Sequence, residues 1–184
     1  MTAQRDYFDF LGLEPKLALD TAALQRRFYE LSREWHPDRF TRKSPGEQQQ
    51  ALDNTALLND AFRTLRDPIA RAEYALKAQG FDIGEQRSKD VPPELLEEVF
   101  ELNMALEEIR GGDDSVRPDL EAAKQKFLAL REASDRELAE QFARHDAAED
   151  KSVLEEIRAN LNRRRYIRNL IAEVEKELSR ETFT

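Results

Sequence analysis

The sequence contains no cysteine in its 184 residues and only two histidines, His36 and His145. The absence of cysteine excludes a disulfide framework, a cysteine-based zinc site and a thiol nucleophile. Two histidines that are far apart in the chain do not supply the set of ligands or the acid–base partners that a metal centre or a catalytic site needs. We therefore expect no catalytic residue, no bound metal and no cofactor.

Long apolar segments are also missing, since nowhere do about 18 apolar residues follow one another. The first ten residues carry Arg5, Asp6 and Asp9 and lack an apolar run of signal-peptide length. These patterns predict a cytoplasmic protein without a membrane segment. The net charge of −9 argues against general nucleic-acid binding, because phosphate contacts need a basic surface.

Charged side chains, by contrast, make up 36% of the sequence, while glycine occupies only six positions. This balance is typical of helices with large solvated faces, so we predict an all-α fold. The charge is distributed unevenly. Residues 1–90 carry 14 basic and 15 acidic side chains, and the remainder carries 15 and 23. This difference suggests two domains.

The first 80 residues show a pattern of four helices. A short aromatic helix over Asp6–Leu11 is predicted to stop at Gly12, and a second follows Asp20, a favourable N-cap. The second helix must end near His36, because the residue before a proline disfavours helical backbone. We predict a loop to Gly46, a third helix from about Glu47 to Asp67-Pro68, and a fourth over Ile69–Gln79. The apolar positions of the second helix repeat at four, three and four residues: Leu24, Phe28, Leu31 and Trp35.

The remaining residues indicate a connector over 81–91 and a three-helix bundle over 92–184. Its first helix is expected from Pro93 to Arg110, its second from about Pro118, and its third from about Lys151 to Leu178. The core positions of the first bundle helix follow a four-three spacing: Leu95, Val99, Leu102, Leu106 and Ile109.

A second apolar row, Leu96, Phe100 and Met104, lies about 100° around the same helix from the first. It predicts either a wide core face or an exposed patch. The surrounding acids favour a binding site for a basic, partly apolar partner. They are Glu94, Glu97, Glu98, Glu101, Glu107 and Glu108, with Asp113 and Asp114 beyond.

The tripeptide His36-Pro37-Asp38 lies between the second and third helices, after Tyr7-Phe8 and Leu11-Gly12-Leu13 and before Leu57–Leu65. Together these segments resemble a J-domain. The resemblance implies that the tripeptide contacts a DnaK-like ATPase chaperone. The proline restrains both neighbours, and the aspartate can accept a charge-assisted hydrogen bond. Basic residues nearby are expected to dock on an acidic surface of that chaperone: Arg26, Arg27, Arg33 and Arg39, with Arg42 and Lys43.

Arg71-Ala72-Glu73-Tyr74 and Gly80-Phe81 join this J-domain to an acidic bundle, an arrangement that resembles the HscB family over nearly the whole chain. The resemblance implies a monomeric co-chaperone, not an enzyme, that delivers the iron–sulfur scaffold protein IscU to an HscA-type chaperone and aids cluster maturation. It also implies a scaffold-binding surface: Leu96, Phe100, Glu101, Met104 and Glu108 on the first bundle helix, with Tyr166 on the last.

Two other hypotheses stay open from the sequence. One is a J-domain co-chaperone for a different client. The other is a helical nucleic-acid or regulatory adaptor that uses a basic run in the last helix: Arg158, Arg163, Arg164, Arg165 and Arg168. Aromatic stacking platforms beyond Tyr166 are missing from this run and the domain is acidic, which favours pairing of these arginines with acids of neighbouring helices.

Overall fold

The computed structural model describes residues 6–81, 93–148 and 150–180, without the side chain of Glu94. Within these ranges the fold is all-α, as predicted, and contains no strand. None of the helices in the described part is both long enough and apolar enough to cross a membrane. By its internal contacts the chain divides into two compact units: Met1–Phe81 with His145–Glu149, and Asp82–Arg144 with Asp150–Thr184. The predicted connector, apart from Phe81, lies outside the described residues.

Four helices build the first unit: α1 (Tyr7–Leu11), α2 (Thr21–Glu34), α3 (Pro45–Arg66) and α4 (Pro68–Ala78). Capping side chains set their starts. Asp6 accepts hydrogen bonds from the backbone of Phe8 and Asp9, and Asp20 does the same for Ala22 and Ala23. Gly12 ends α1 with a φ of 65°, a left-handed conformation that favours glycine.

The start of α3 differs from the expectation, because the helix begins at Pro45 and not at about Glu47. Ser44 and Glu47 form a reciprocal capping box: the Ser44 backbone N–H donates to the Glu47 carboxylate at 2.9 Å, and the Glu47 N–H donates to Ser44 Oγ at 3.3 Å. Gly46 therefore belongs to the helix and not to the loop, and the loop after α2 is shorter than predicted.

The core of the first unit forms where α1, α2 and α3 meet. Its buried side chains are Phe8, Leu11, Leu24, Leu31, Leu58, Ala61 and Leu65. Aromatic pairs close the edges of this core. The rings of Phe28 and Phe62 stack at 4.2 Å between α2 and α3, and those of Tyr7 and Tyr74 stack at 4.6 Å between α1 and α4.

Arg71 on α4 is 5% exposed, and its guanidinium donates to the carbonyls of Leu17 at 2.8 Å and Leu65 at 2.5 Å. Burial lowers the pKa of Arg71, although Asp146 and Asp67 act in the opposite direction. Arg71 belongs to the segment Arg71-Ala72-Glu73-Tyr74, on which the family resemblance partly rests. Its buried hydrogen bonds make it a structural residue that ties α4 to the chain before α2.

Three helices form the second unit: α5 (Leu96–Arg110), α6 (Arg117–Ala148) and α7 (Lys151–Leu178). A 3-10 turn over Pro93–Leu95 precedes α5, and another over Asp114–Val116 precedes α6. The predicted core positions Leu95, Val99, Leu102 and Leu106 are buried, and Ile109 is partly buried. They pack with residues of the other two helices: Leu120, Phe127, Ile167, Leu170, Ile171 and Val174.

A buried polar cluster lies within the apolar contact between α6 and α7. Ser134, Gln141 and Asn160 are each at most 4% exposed. Ser134 Oγ donates to the side-chain oxygen of Asn160, whose amide donates in turn to Gln141 Oε1 at 3.2 Å. Because a shift of one helix along the other would leave these groups unpaired, the cluster favours one register of the two helices.

Candidate protein-binding sites

The turn that follows α2 presents His36, Pro37 and Asp38 to solvent. A 3-10 turn over Pro37–Arg39 shapes it, and the backbone N–H of Arg39 donates to the His36 carbonyl at 2.9 Å. His36 Nδ1 accepts from the Asp38 N–H at 3.3 Å and lies 3.5 Å from its carboxylate. The side chains of His36 and Asp38 remain 58% and 87% exposed. The turn is thus ordered by local bonds while its polar groups stay accessible.

Trp35 anchors this turn to the rest of the first unit. Its ring packs against that of Phe10 at 5.0 Å, and its carbonyl accepts a hydrogen bond from Thr55 Oγ1 at 3.2 Å. On the far side of the loop, Gln48 Nε2 donates to the Lys43 carbonyl at 2.9 Å. Since both ends of the loop are held by α1 and α3, a partner would meet a largely preformed surface, which lowers the entropic cost of binding.

Four arginines are predicted to dock on the chaperone together with the tripeptide, and their environments differ. Arg26, Arg33 and Arg39 are exposed, and the Arg39 guanidinium donates to the Arg33 carbonyl at 3.1 Å. Arg27 Nε donates to the Leu11 carbonyl at 2.9 Å, and its Nη1 donates to Glu30 at 2.7 Å. Arg27 therefore also holds α1 against α2. Arg33 and Arg39 present their charge to solvent beside the turn, whereas Arg26 lies nearer the start of α2, 3.9 Å from the Asp20 carboxylate.

In the second unit, Leu96, Phe100 and Met104 form an exposed row that we call the α5 strip. Their exposed fractions are 56%, 66% and 50%. The buried core residues of α5 are at most 6% exposed. Of the two readings left open by the sequence, a wide core face and an exposed patch, the structure therefore supports the patch.

Acidic side chains border the α5 strip. Glu97, Glu101, Glu107 and Glu108 are exposed on the same helix. Glu98 is more enclosed and forms an ion pair with Lys126 of α6 at 3.2 Å. A hydrogen bond with its own backbone, followed by the bond from Lys126, keeps the pKa of Glu98 below its ordinary value. The strip thus combines apolar area with an acidic border.

Tyr166, the predicted contribution of the last helix, packs partly buried against the bundle core. Burial raises the pKa of its hydroxyl, and the nearby Glu173 carboxylate adds to this effect. Tyr166 does not line the groove that three other predicted residues share. Glu101, Met104 and Glu108 line this groove, which lies between α5 and α6 and has a volume of about 480 Å³.

Sequence patterns had not indicated the α6 side of this groove. Its lining residues on α6 are Asp119, Ala122, Ala123, Lys126 and Phe127. Their spacing of three or four residues places them along one side of the helix, which is a recognisable signal. Ala123 and Phe127 also pack in the bundle core, so this spacing alone does not distinguish a groove from a core face.

The basic run of α7 is engaged with acids of α6. Arg163 pairs with Glu137, and Arg164 pairs with Asp135. This confirms the predicted pairing for these two arginines. Two of the five guanidinium groups that a nucleic-acid interface would require thus pair with acids of α6, which weakens the nucleic-acid hypothesis.

Comparison with known proteins assigns both halves of the chain. A family model described as "DnaJ domain" matches residues 6–75, and one described as "HSCB C-terminal oligomerisation domain" matches residues 91–175. The chain is 34% identical over 173 residues to a "Co-chaperone protein HscB homolog" of Shewanella loihica, which covers 93% of this chain and 96% of that protein.

Solved structures agree in fold over nearly the whole chain. Chaperone HscB from Vibrio cholerae superposes with a TM-score of 0.62 at 29% identity, covering 94% of this chain and 96% of that one. The crystal structure of human co-chaperone protein HscB superposes with a TM-score of 0.68 at 29% identity, covering 96% of this chain and 83% of that one.

Proposed function

Because the chain belongs to the HscB family of J-domain co-chaperones that serve iron–sulfur cluster assembly, we propose that it stimulates an HscA-type, DnaK-like ATPase and delivers an IscU-type scaffold protein to it. The J-domain comprises about the first 80 residues, and the bundle that follows the connector binds the scaffold. In this role the chain regulates a partner that carries out the chemistry.

The observation that carries the proposal is the exposed turn at His36-Pro37-Asp38. Its backbone is held by local hydrogen bonds and by Trp35, while the Asp38 carboxylate is directed to solvent. Such a carboxylate is placed to accept a charge-assisted hydrogen bond from an arginine of the ATPase. The exposed Arg26, Arg33 and Arg39 support docking on an acidic surface and faster association.

Binding to a preformed turn stimulates hydrolysis if the turn has a higher affinity for the hydrolysis-competent conformation of the ATPase than for the resting one. The co-chaperone then shifts the population of its partner and needs no catalytic group of its own.

The α5 strip supports the second half of the proposal. Three exposed apolar side chains with an acidic border fit a partner surface that is basic and partly apolar. The residues proposed to bind the scaffold lie on two helices. Tyr166 is on α7, and the other five are on α5: Leu96, Phe100, Glu101, Met104 and Glu108.

The proposal is tested by the steady-state ATPase rate of the HscA-type chaperone, measured with this protein, with the scaffold, and with both. We expect synergy between the two. Asp38→Asn should abolish stimulation and leave scaffold binding unchanged, because Asp38 is a solvent-exposed residue of the first unit. Asp53→Asn, an equivalent change at an exposed aspartate of α3, is the matched control. Stimulation by Asp38→Asn at the wild-type level would contradict the proposal.

A further inference from the structure

The groove between α5 and α6 has an apolar floor and an acidic rim. Leu102 and Phe127, each 1% exposed, contribute to its lining at the level of the core, and the exposed Ala122 contributes from α6. Glu101 and Glu108 of α5 and Asp119 of α6 supply exposed carboxylates. A volume of about 480 Å³ is large enough to admit a long side chain of a partner protein.

The groove is continuous with the α5 strip through Met104. Successive residues of a helix are about 100° apart, so Phe100 and Met104 lie about 40° and 80° around α5 from Leu96. Glu108 and Glu101 follow at about 120° and 140°. Met104, which is 50% exposed, is both the last member of the strip and a lining residue of the groove. A partner seated on the strip therefore lies next to the groove.

The charge of the groove selects a cationic occupant. The cation in its lining, Lys126, is 54% exposed but pairs with Glu98 at 3.2 Å, so these two charges offset each other. The net charge of the lining therefore comes from the exposed carboxylates of Glu101, Glu108 and Asp119. Lysine and arginine place methylene groups along apolar surface while their charged ends stay at the solvent boundary. A side chain of this kind matches a floor that is apolar and a rim that is acidic.

Resting on the proposed binding of the scaffold, we propose that this groove is a second part of the same interface, into which a lysine or arginine side chain of the scaffold protein inserts. Asp119 of α6 then acts as a specificity-determining residue, although it belongs to a different helix from the strip. A second copy of this chain is a poorer occupant, because it would bring the same acidic border against itself.

The test is isothermal titration of the IscU-type scaffold protein into the full chain and three variants. Asp119→Lys should weaken binding by about 3- to 30-fold, because it replaces an attraction at an exposed site with a repulsion. Glu121→Lys is the matched control, since Glu121 is an exposed acid near the same end of α6 that does not line the groove. Its smaller effect measures the general influence of charge reversal. The fold decrease in scaffold affinity caused by Asp119→Lys should be smaller in 0.5 M salt, because salt screens exposed charges.

Phe100→Ala separates the two proposals. If it weakens binding while Asp119→Lys and Glu121→Lys have equal effects, the groove proposal is overturned and the scaffold-binding function stands. If Phe100→Ala leaves affinity at the wild-type value, the scaffold site on α5 is itself wrong. Sedimentation velocity of the chain alone completes the test. A change of self-association in Asp119→Lys, with unchanged scaffold affinity, would identify a second copy as the occupant and overturn the proposal.

Discussion

Replacement of Phe100 by alanine should weaken scaffold binding strongly, because this side chain has the largest exposed apolar area in the α5 strip. Phenylalanine has roughly 200 Å² that binding can bury, and Phe100 is 66% exposed. About 130 Å² is therefore left for a partner to cover. At about 25 cal/mol per Å², this area corresponds to at most about 3 kcal/mol, or a rise in Kd of about 150-fold.

The fold should tolerate the same change. A side chain that is two-thirds exposed contributes little to the core, so we expect the free energy of unfolding to change by no more than about 0.5 kcal/mol. Phe127 provides the contrast within the same bundle. It is 1% exposed, and its replacement by alanine should cost about 3–5 kcal/mol through lost burial and a cavity.

Two measurements on Phe100→Ala test the predicted loss of binding and the predicted stability: titration with the scaffold protein, and urea unfolding followed by circular dichroism. Basal stimulation of the ATPase, measured without scaffold, serves as a control for the J-domain. A Phe100→Ala variant that binds the scaffold within a factor of two of wild type would refute the assignment of the strip. A variant that unfolds like Phe127→Ala would refute the exposure on which the estimate rests.

Two further predictions concern stability. Asn160→Ala should lower the free energy of unfolding by about 2 kcal/mol, because Ser134 and Gln141 lose buried partners; a change below about 0.5 kcal/mol in urea unfolding would contradict this. Burial raises the pKa of Glu177, but hydrogen bonds from arginines, including Arg110 at 3.0 Å, outweigh it and leave the pKa below its ordinary value of 4.5. The stabilisation is then complete above pH 4.5 and disappears as the pH falls through the lower folded-state pKa. The difference between wild type and Glu177→Gln should therefore stay constant from pH 7 to 5 and shrink below that; an equal difference at pH 3 would contradict it.

Sequence patterns predicted those helix ends that are set by neighbouring residues in the chain. Asp20 and Gly12 mark a helix start and a helix end as predicted, and α7 has the predicted bounds of Lys151–Leu178. Asp6, predicted as the first residue of α1, is instead its N-cap. The start of α3 was missed although its signal was local. The predicted loop runs to Gly46, whereas the capping box of Ser44 and Glu47 begins the helix at Pro45.

The apolar periodicity of one helix does not predict features that depend on a neighbouring helix. Leu95 and Leu96 are adjacent leucines, yet one is 3% and the other 56% exposed, because only one of them faces the rest of the bundle. The spacing indicated two apolar rows on α5 without showing which of them is covered. Similarly, the groove brings Asp119 of α6 and Glu108 of α5 to one site, a proximity that no pattern within a single helix contains.

The two proposed binding surfaces carry opposite charges, and this difference would keep each proposed partner from binding at the other partner's site. The turn after α2 is flanked by exposed arginines, whereas the α5 strip and its groove are bordered by carboxylates. A partner with an acidic docking surface is attracted to the first and repelled by the second, and a basic partner experiences the reverse. Specificity then arises from repulsion at the wrong site as much as from contacts at the right one. Charge reversal at Asp119 should therefore act on scaffold binding alone and leave basal ATPase stimulation, which depends on the arginine-flanked turn, at its wild-type level.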